Sequence, residues 1–217
     1  MVNRDATAET LDDVQNMGLV NDREAATVLG IFEPSSPVAP ALAVADSIHV
    51  HIKVDDVAAA PHDRLLAKGG TVENAKQGYV KYAFPGGINV ILSSINVSQD
   101  DLAETPCSKR PRPFVDHIGI DLRRETPEVE ERFEAVPKLA EVQGWSHVPQ
   151  GAPGEPVFCC HVEVGRKHWA YPGDTPGAQG IPLEFAFGAL KINPAASGCD
   201  LRPARPGTAA SDQACQS

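Results

Sequence analysis

The sequence predicts an α+β protein made of two tandem βαβββ modules that form a cupped mixed sheet around a metal site. Three observations lead there. Residues 48–54, Ile-His-Val-His-Ile-Lys-Val, alternate in polarity as a half-buried strand does. Residues 114–122, Phe-Val-Asp-His-Ile-Gly-Ile-Asp-Leu, echo them: His49-x-x-Ile52-x-Val54 lies over His117-x-x-Ile120-x-Leu122. Each copy is followed by a helical stretch and then by β-rich runs, and the last of these, residues 182–187, carries Glu184. An internal repeat of this kind fixes the architecture before any single element does.

Bulk properties set the limits. At 217 residues the chain can form one good-sized domain, or two small modules sharing a core. A formal charge of -10 and a pI of about 5.1 argue against a nucleic-acid backbone or an anionic membrane surface as partner. No apolar run reaches the length of a membrane span, and Met-Val-Asn-Arg-Asp lacks the basic start and apolar block of a signal peptide. A cytoplasmic protein is expected. The cysteines (Cys107, Cys159, Cys160, Cys199, Cys215) are odd in number and two are adjacent, a poor disulfide framework that suits a reducing compartment.

Taken in order, residues 1–46 read as an extension. Leu11, Val14, Met17 and Val20 have helical spacing interrupted by Gly18 and Asn21, which suggests a helix pair, and the Pro- and Ser-rich residues 32–40 read as a linker. The first module occupies 47–98. Its helix can run only from Pro61 onward, Gly69-Gly70 stops it, and Pro85-Gly86-Gly87 joins two β-rich runs as a hairpin. Residues 99–113 form a polar connector. The second module, 114–190, opens on its strand, and Thr126-Pro127 then starts a helix as N-cap and first helical residue. Val129, Phe133, Val136 and Ala140 form the buried stripe, Pro137 is expected to kink the helix, and Gly144 ends it. Strands are expected at 157–164, 167–171 and 181–187, and a disordered tail over 191–217.

His49, His117 and Glu184 stand about one module apart, so folding of the repeat as a pair would let them converge. Two imidazoles and one carboxylate leave coordination positions open, the arrangement of non-haem iron(II) oxygenases, with zinc, nickel or manganese in related sites. Singly, a strand histidine is more often packed or solvated than ligating; the matched repeat positions favour ligation. His51 shares a face with His49 and rivals it as first ligand. The first module's last strand, Val90-Ile91-Leu92-Ser93, offers no carboxylate, which favours a three-ligand open site. Cys159 and Cys160 can bind a thiophilic centre if a bulge turns both to one side, or they are small buried hydrophobes. Tyr79 or Tyr82 can donate a hydrogen bond to a ligand. Lys167, His168 and Trp169 form an aromatic–basic strand that either lines a pocket or packs in the core.

These features together resemble the vicinal oxygen chelate superfamily, which includes glyoxalase I, fosfomycin resistance proteins and extradiol dioxygenases. Gly78-Tyr79-Val80-Lys81-Tyr82, Asp116-His117-Ile118-Gly119, Cys159-Cys160 followed by Arg166-Lys167-His168-Trp169, and Leu183-Glu184 are most similar to motifs of its organoarsenical carbon–arsenic lyases and the related cadmium-induced proteins. The resemblance covers about residues 47–188, and its more specific part is the cysteine pair with Lys-x-Trp. It implies an iron(II) site on His49, His117 and Glu184, a trivalent arsenical held by Cys159 and Cys160 beside Lys167 and Trp169, and dioxygen-dependent cleavage of the carbon–arsenic bond. The alternative within the same superfamily is a small extradiol catechol dioxygenase, with His161 or His168 as acid/base and Tyr79 as hydrogen-bond donor. A further alternative is a non-catalytic protein that sequesters metals or drugs. The Phe-Tyr of the family's first helix is missing, and residues 172–180 replace its Asp-Pro-x-Gly turn. Two modules in one chain suffice to build the site, while many members dimerise, so both a monomer and a homodimer are compatible with the sequence.

Overall fold

The computed structural model describes residues 2–76, 78–94, 112–152, 157–159, 162–173, 180–189 and 191–192. The N-terminal region begins with Arg4–Asn16 (α1) and Asp22–Gly30 (α2). The Asn3 side chain accepts from the Asp5 and Ala6 N–H groups to start α1. Asn21 and Glu24 form a capping box that starts α2, and Gly18, at φ 75°, makes the turn between them. The stretch read as a linker ends in a short packed helix, Ala39–Leu42 (α3), with Val38 1% exposed. Its prolines shape turns, while its apolar residues join the core.

The first module runs Ser47–Lys53 (β1), a 3-10 turn at Val57–Ala59, His62–Ala67 (α4), Thr71–Lys76 (β2), Tyr79–Phe84 (β3) and Ile88–Ser93 (β4). The second runs Phe114–Leu122 (β5), Pro127–Glu134 (α5), Val136–Gln143 (α6), Ser146–Gln150 (β6), Val157–Cys159 (β7), Val162–Val164 (β8), Arg166–Tyr171 (β9), Leu183–Phe187 (β10) and Lys191–Ile192 (β11).

Eight strands form one mixed sheet in the order β2-β3-β4-β1-β5-β10-β9-β6. β1 and β5 pair antiparallel at its centre; β4 lies parallel to β1 on one side and β10 parallel to β5 on the other. Each half repeats the other, and the fold class read from the repeat is the one observed. Alternation places Ile48, Val50, Ile52, Val90, Leu92, Ile118, Ile120, Leu183 and Phe185 on one face, all at most 5% exposed, where the helices pack. His49, His51, Lys53, His117, Asp121 and Glu184 fall on the other.

Three elements differ from expectation. The kinked helix is two helices meeting at Ala135, which ends one and caps the next, because Pro137 sits in the first turn of the second. The stretch 157–164 is not one strand of the main sheet: β7 and β8 form a hairpin that pairs with β11 in a separate three-stranded sheet. The edge of the second half is instead β6, which sequence reading passed over because Pro149 interrupts it. An edge strand tolerates a proline whose missing donor faces outward. The rest of the 191–217 tail and connector residues 99–111 lie outside the described residues. No helix among the described residues is long and apolar enough to cross a membrane.

The N-terminal helices are fastened to the sheet. Leu11 and Val14 are 1% and 0% exposed, and a Glu24 carboxylate oxygen accepts from the Val115 N–H at 2.8 Å. Leu11→Ala should therefore lower stability by about 2–5 kcal/mol within a single denaturant transition. Two separate transitions, or an unchanged midpoint, would show that the helix pair folds apart from the sheet.

Candidate metal centre

The site follows from one rung of the sheet. Gly119 on β5 pairs with His49 of β1 on one side and with Glu184 of β10 on the other. His117 stands two residues earlier on β5, hence on the same face. A Cβ built on Gly119 would lie inside the His49 ring. Only glycine in the middle of the rung lets the imidazole and the carboxylate close over it.

The closure is tight. His49 Nε2 and His117 Nε2 are 3.2 Å apart, and His117 Nε2 is 3.3 Å from Glu184 Oε2. All three residues are buried, at 8%, 4% and 4% exposure. A metal held at about 2.0–2.2 Å by nitrogen and oxygen donors separates neighbouring donors by about 3.0–3.5 Å in octahedral or tetrahedral geometry. The two separations from His117 match that spacing, all three ligand atoms lie within 4.8 Å of one another, and the donor set of two imidazoles and one carboxylate suits iron, zinc, nickel or manganese.

Each imidazole is held from behind by a carboxylate. His117 Nδ1 donates to Asp116 Oδ2 at 2.6 Å, and His49 Nδ1 lies 3.3 Å from Asp121 Oδ1. Asp121 also accepts from Ser47 Oγ at 2.7 Å. Such partners fix the tautomer and direct Nε2 toward a metal. The charges are tuned accordingly. Burial pushes Asp121 upward, but the adjacent His49, Arg123 and Ser47 outweigh it and hold the carboxyl well below its usual range. Burial also opposes ionisation of Glu184, yet Lys167, whose Nζ is 3.0 Å from Oε1, together with His117 and His49, keeps it well below the usual value. For His117 burial favours the neutral ring, and hydrogen bonds to Asp116 and Glu184 overcome it, raising its pKa above 6.5. An ion-free centre therefore holds a proton where a metal can sit.

The other candidate residues divide by place. Lys167 and Trp169 flank the centre: Lys167 pairs with Glu184, and the Trp169 ring meets His117 edge-on at 5.1 Å. Trp169 Nε1 donates to Gln150 Oε1 at 2.8 Å, which fixes the indole. His51 lies on the same face with its ring 4.7 Å from that of His117. Its pairing partner is His117, whereas His49 faces Gly119 and converges with Glu184, so His49 is the better first donor. Tyr79 is not brought to this centre. It pairs with Ser93 two strands away from β1, about 10 Å off, and lines a lateral cleft of about 880 Å³ with Val57, His62 and Tyr82. His168 stands on the helix-packed face, stacked on Phe133 and 2.9 Å from His147, and burial lowers its pKa to about 4. That removes it from the pocket as an acid or base. Cys159 closes β7; Cys160 and His161 lie outside the described residues.

Sequence reasoning missed Asp116, Asp121 and Gly119 as members of the site. Asp121 was legible, since it shares the alternation of His117. Asp116 was not, because strict alternation sends it to the opposite face. On β4 the residue opposite His49 is Asn89, 4% exposed, so that side supplies no carboxylate.

No protein-family model and no curated protein matches the chain. Among solved structures, the homoprotocatechuate 2,3-dioxygenase of Arthrobacter globiformis is 15% identical, over 67% of this chain and 38% of its own, with a TM-score of 0.40. The chain thus spans well under half of that enzyme. A Streptomyces coelicolor methylmalonyl-CoA epimerase is 15% identical over 67% of this chain and 99% of its own, with a TM-score of 0.38. An NAD-dependent benzaldehyde dehydrogenase from Legionella pneumophila is 8% identical over 64% and 97%, with a TM-score of 0.37. These names span three chemistries, and the functional argument rests on the site itself.

Gly119→Ala should displace His49, remove the ion held by His49, His117 and Glu184 and cost about 1–3 kcal/mol of stability, read by elemental analysis and denaturant titration; an unchanged metal content would separate the rung from the centre. The raised His117 gives a pH test. In the ion-free chain its protonated form contributes stability that is fully present below its ordinary 6.5 and is lost as pH rises through the raised value. Metal must displace that proton, so affinity rises over the same window. Melting temperatures with chelator and with zinc should diverge as pH climbs above 6.5, and parallel curves would exclude His117 as a ligand.

Proposed function

We propose that the chain is an iron(II)-dependent, dioxygen-using enzyme that cleaves the carbon–arsenic bond of a trivalent organoarsenical. The observation that carries the metal part is the convergence of His49 Nε2, His117 Nε2 and Glu184 Oε2, each backed by a charged partner. Three donors from one rung and its neighbour leave the remaining coordination positions to substrate and oxygen. Iron(II), held there, supplies the redox chemistry toward dioxygen that no side chain provides. Asp116 and Asp121 hold the two rings in the ligating tautomer, Lys167 keeps Glu184 ionised, and the Trp169 indole walls the centre against water.

The substrate follows from the sequence. Cys159 and Cys160 are the thiolates for arsenic, as the resemblance to the lyases implies, with Lys167 and Trp169 on β9 of the main sheet. For methylarsonous acid the atoms balance as one dioxygen consumed, with arsenous acid and formaldehyde formed. The same donor set also accepts a chelating catecholate, with His161 as acid/base, and an extradiol dioxygenase is the second reading.

The test is oxygen uptake by the anaerobically purified, iron(II)-loaded chain. Uptake with methylarsonite that releases arsenite, falling at least a hundredfold in Cys159→Ser or Cys160→Ser, is the expected result. Uptake with catechol alone, insensitive to both substitutions, would replace the lyase with the dioxygenase. Stoichiometric metal and arsenical binding without uptake would leave sequestration.

A further inference from the structure

His51 and Asp116 are buried beside the centre, and neither donates to it. Their placement comes from a break in the β1–β5 ladder. His51 faces His117 but Ile52 faces Val115, so the register shifts by one residue at Asp116. A bulge of this kind re-aims a side chain. It turns Asp116 to the side of its neighbour His117, where ordinary alternation would separate them. One ligand atom from each of His51, Asp116 and His117 then lies within 4.8 Å of the others.

His51 supplies the second observation. At 3% exposure its Nε2 is buried and has no hydrogen-bond partner. Leaving such a group unsatisfied is costly, and a buried orphan in a native site asks for an occupant.

We propose that His51, Asp116 and His117 form a second divalent-cation site that shares the His117 ring with the first centre. His117 Nε2 faces His49 and Glu184; its Nδ1 faces Asp116. The imidazole thus presents one nitrogen to each ion, and the proton between Nδ1 and Asp116 leaves to solvent when the second ion binds. Two nitrogens and one carboxylate select a borderline ion such as zinc, copper or nickel over calcium or magnesium. The inference requires neither dioxygen nor an arsenical and stands apart from the substrate proposed above.

The test is metal stoichiometry on the full chain, stripped with chelator, titrated with zinc and analysed after gel filtration. The expected result is two ions per chain in the parent and one in His51→Ala, Asp116→Asn and His49→Ala. Copper loading should give magnetically coupled ions in the parent only. His51→Phe keeps the ring volume, so a loss of one ion there with an unchanged near-ultraviolet spectrum separates ligation from folding. One ion in the parent, lost in His49→Ala and kept in His51→Phe, would overturn the second site and leave the first intact. One ion lost in His51→Phe but kept in His49→Ala would overturn the first centre while retaining the second.

Discussion

The antiparallel pairing of β1 with β5 is the constraint on which everything else depends. It joins the two halves of the repeat, and its register decides which side chains meet. With His49 set against Gly119 and His51 against His117, the flanking parallel strands β4 and β10 have their positions fixed as well. A slip of one residue would turn every histidine of β1 to the helix-packed face and every isoleucine to the polar one. The apolar alternation that buries Ile48, Val50 and Ile52 under the helices is therefore also what orients the imidazoles.

The polar face is an expensive piece of structure. It buries Glu184, Asp116, Asp121, Lys53 and Lys167 at no more than 5% exposure, and buried charges rarely return their desolvation cost in stability. The charges are matched locally, Lys167 against Glu184 and Arg123 with Ser47 against Asp121. A sheet chosen for stability alone would carry Val or Ile at these positions. Concentrated perturbed groups on one side of an otherwise apolar sheet mark a candidate chemical site.

Much of this was legible in the sequence, for identifiable reasons. The repeat pointed to the strand order, and the matching places of His49 and His117 within it brought forward two of the three residues that converge; Glu184 followed from its strand. What escaped were departures from strict periodicity. Asp116 belongs to the site only because the ladder shifts by one residue, and no pattern of types announces a bulge. Pro149 hid the edge strand β6, since a proline argues against a strand unless its position at the edge is known. The helix expected to kink at Pro137 instead breaks in two at Ala135, two residues before the proline. Tyr79 and His168 were misplaced relative to the centre because alternation assigns a face, while distance across a sheet depends on strand order, which a single sequence does not print.

Among the described residues, the hairpin of β7 and β8 pairs with β11 and stays outside the eight-stranded ladder. It enters between the edge strand β6 and β9, and Gly165, where a side chain would strike the Phe187 carbonyl, marks the return to the main sheet. Insertions, deletions or wholesale replacement within that hairpin leave the register of β9 and β10 untouched. The architecture thereby separates two parts: a frame whose register sets the candidate donors, and an appended hairpin, with Cys159 at the end of its first strand, that lies outside that register.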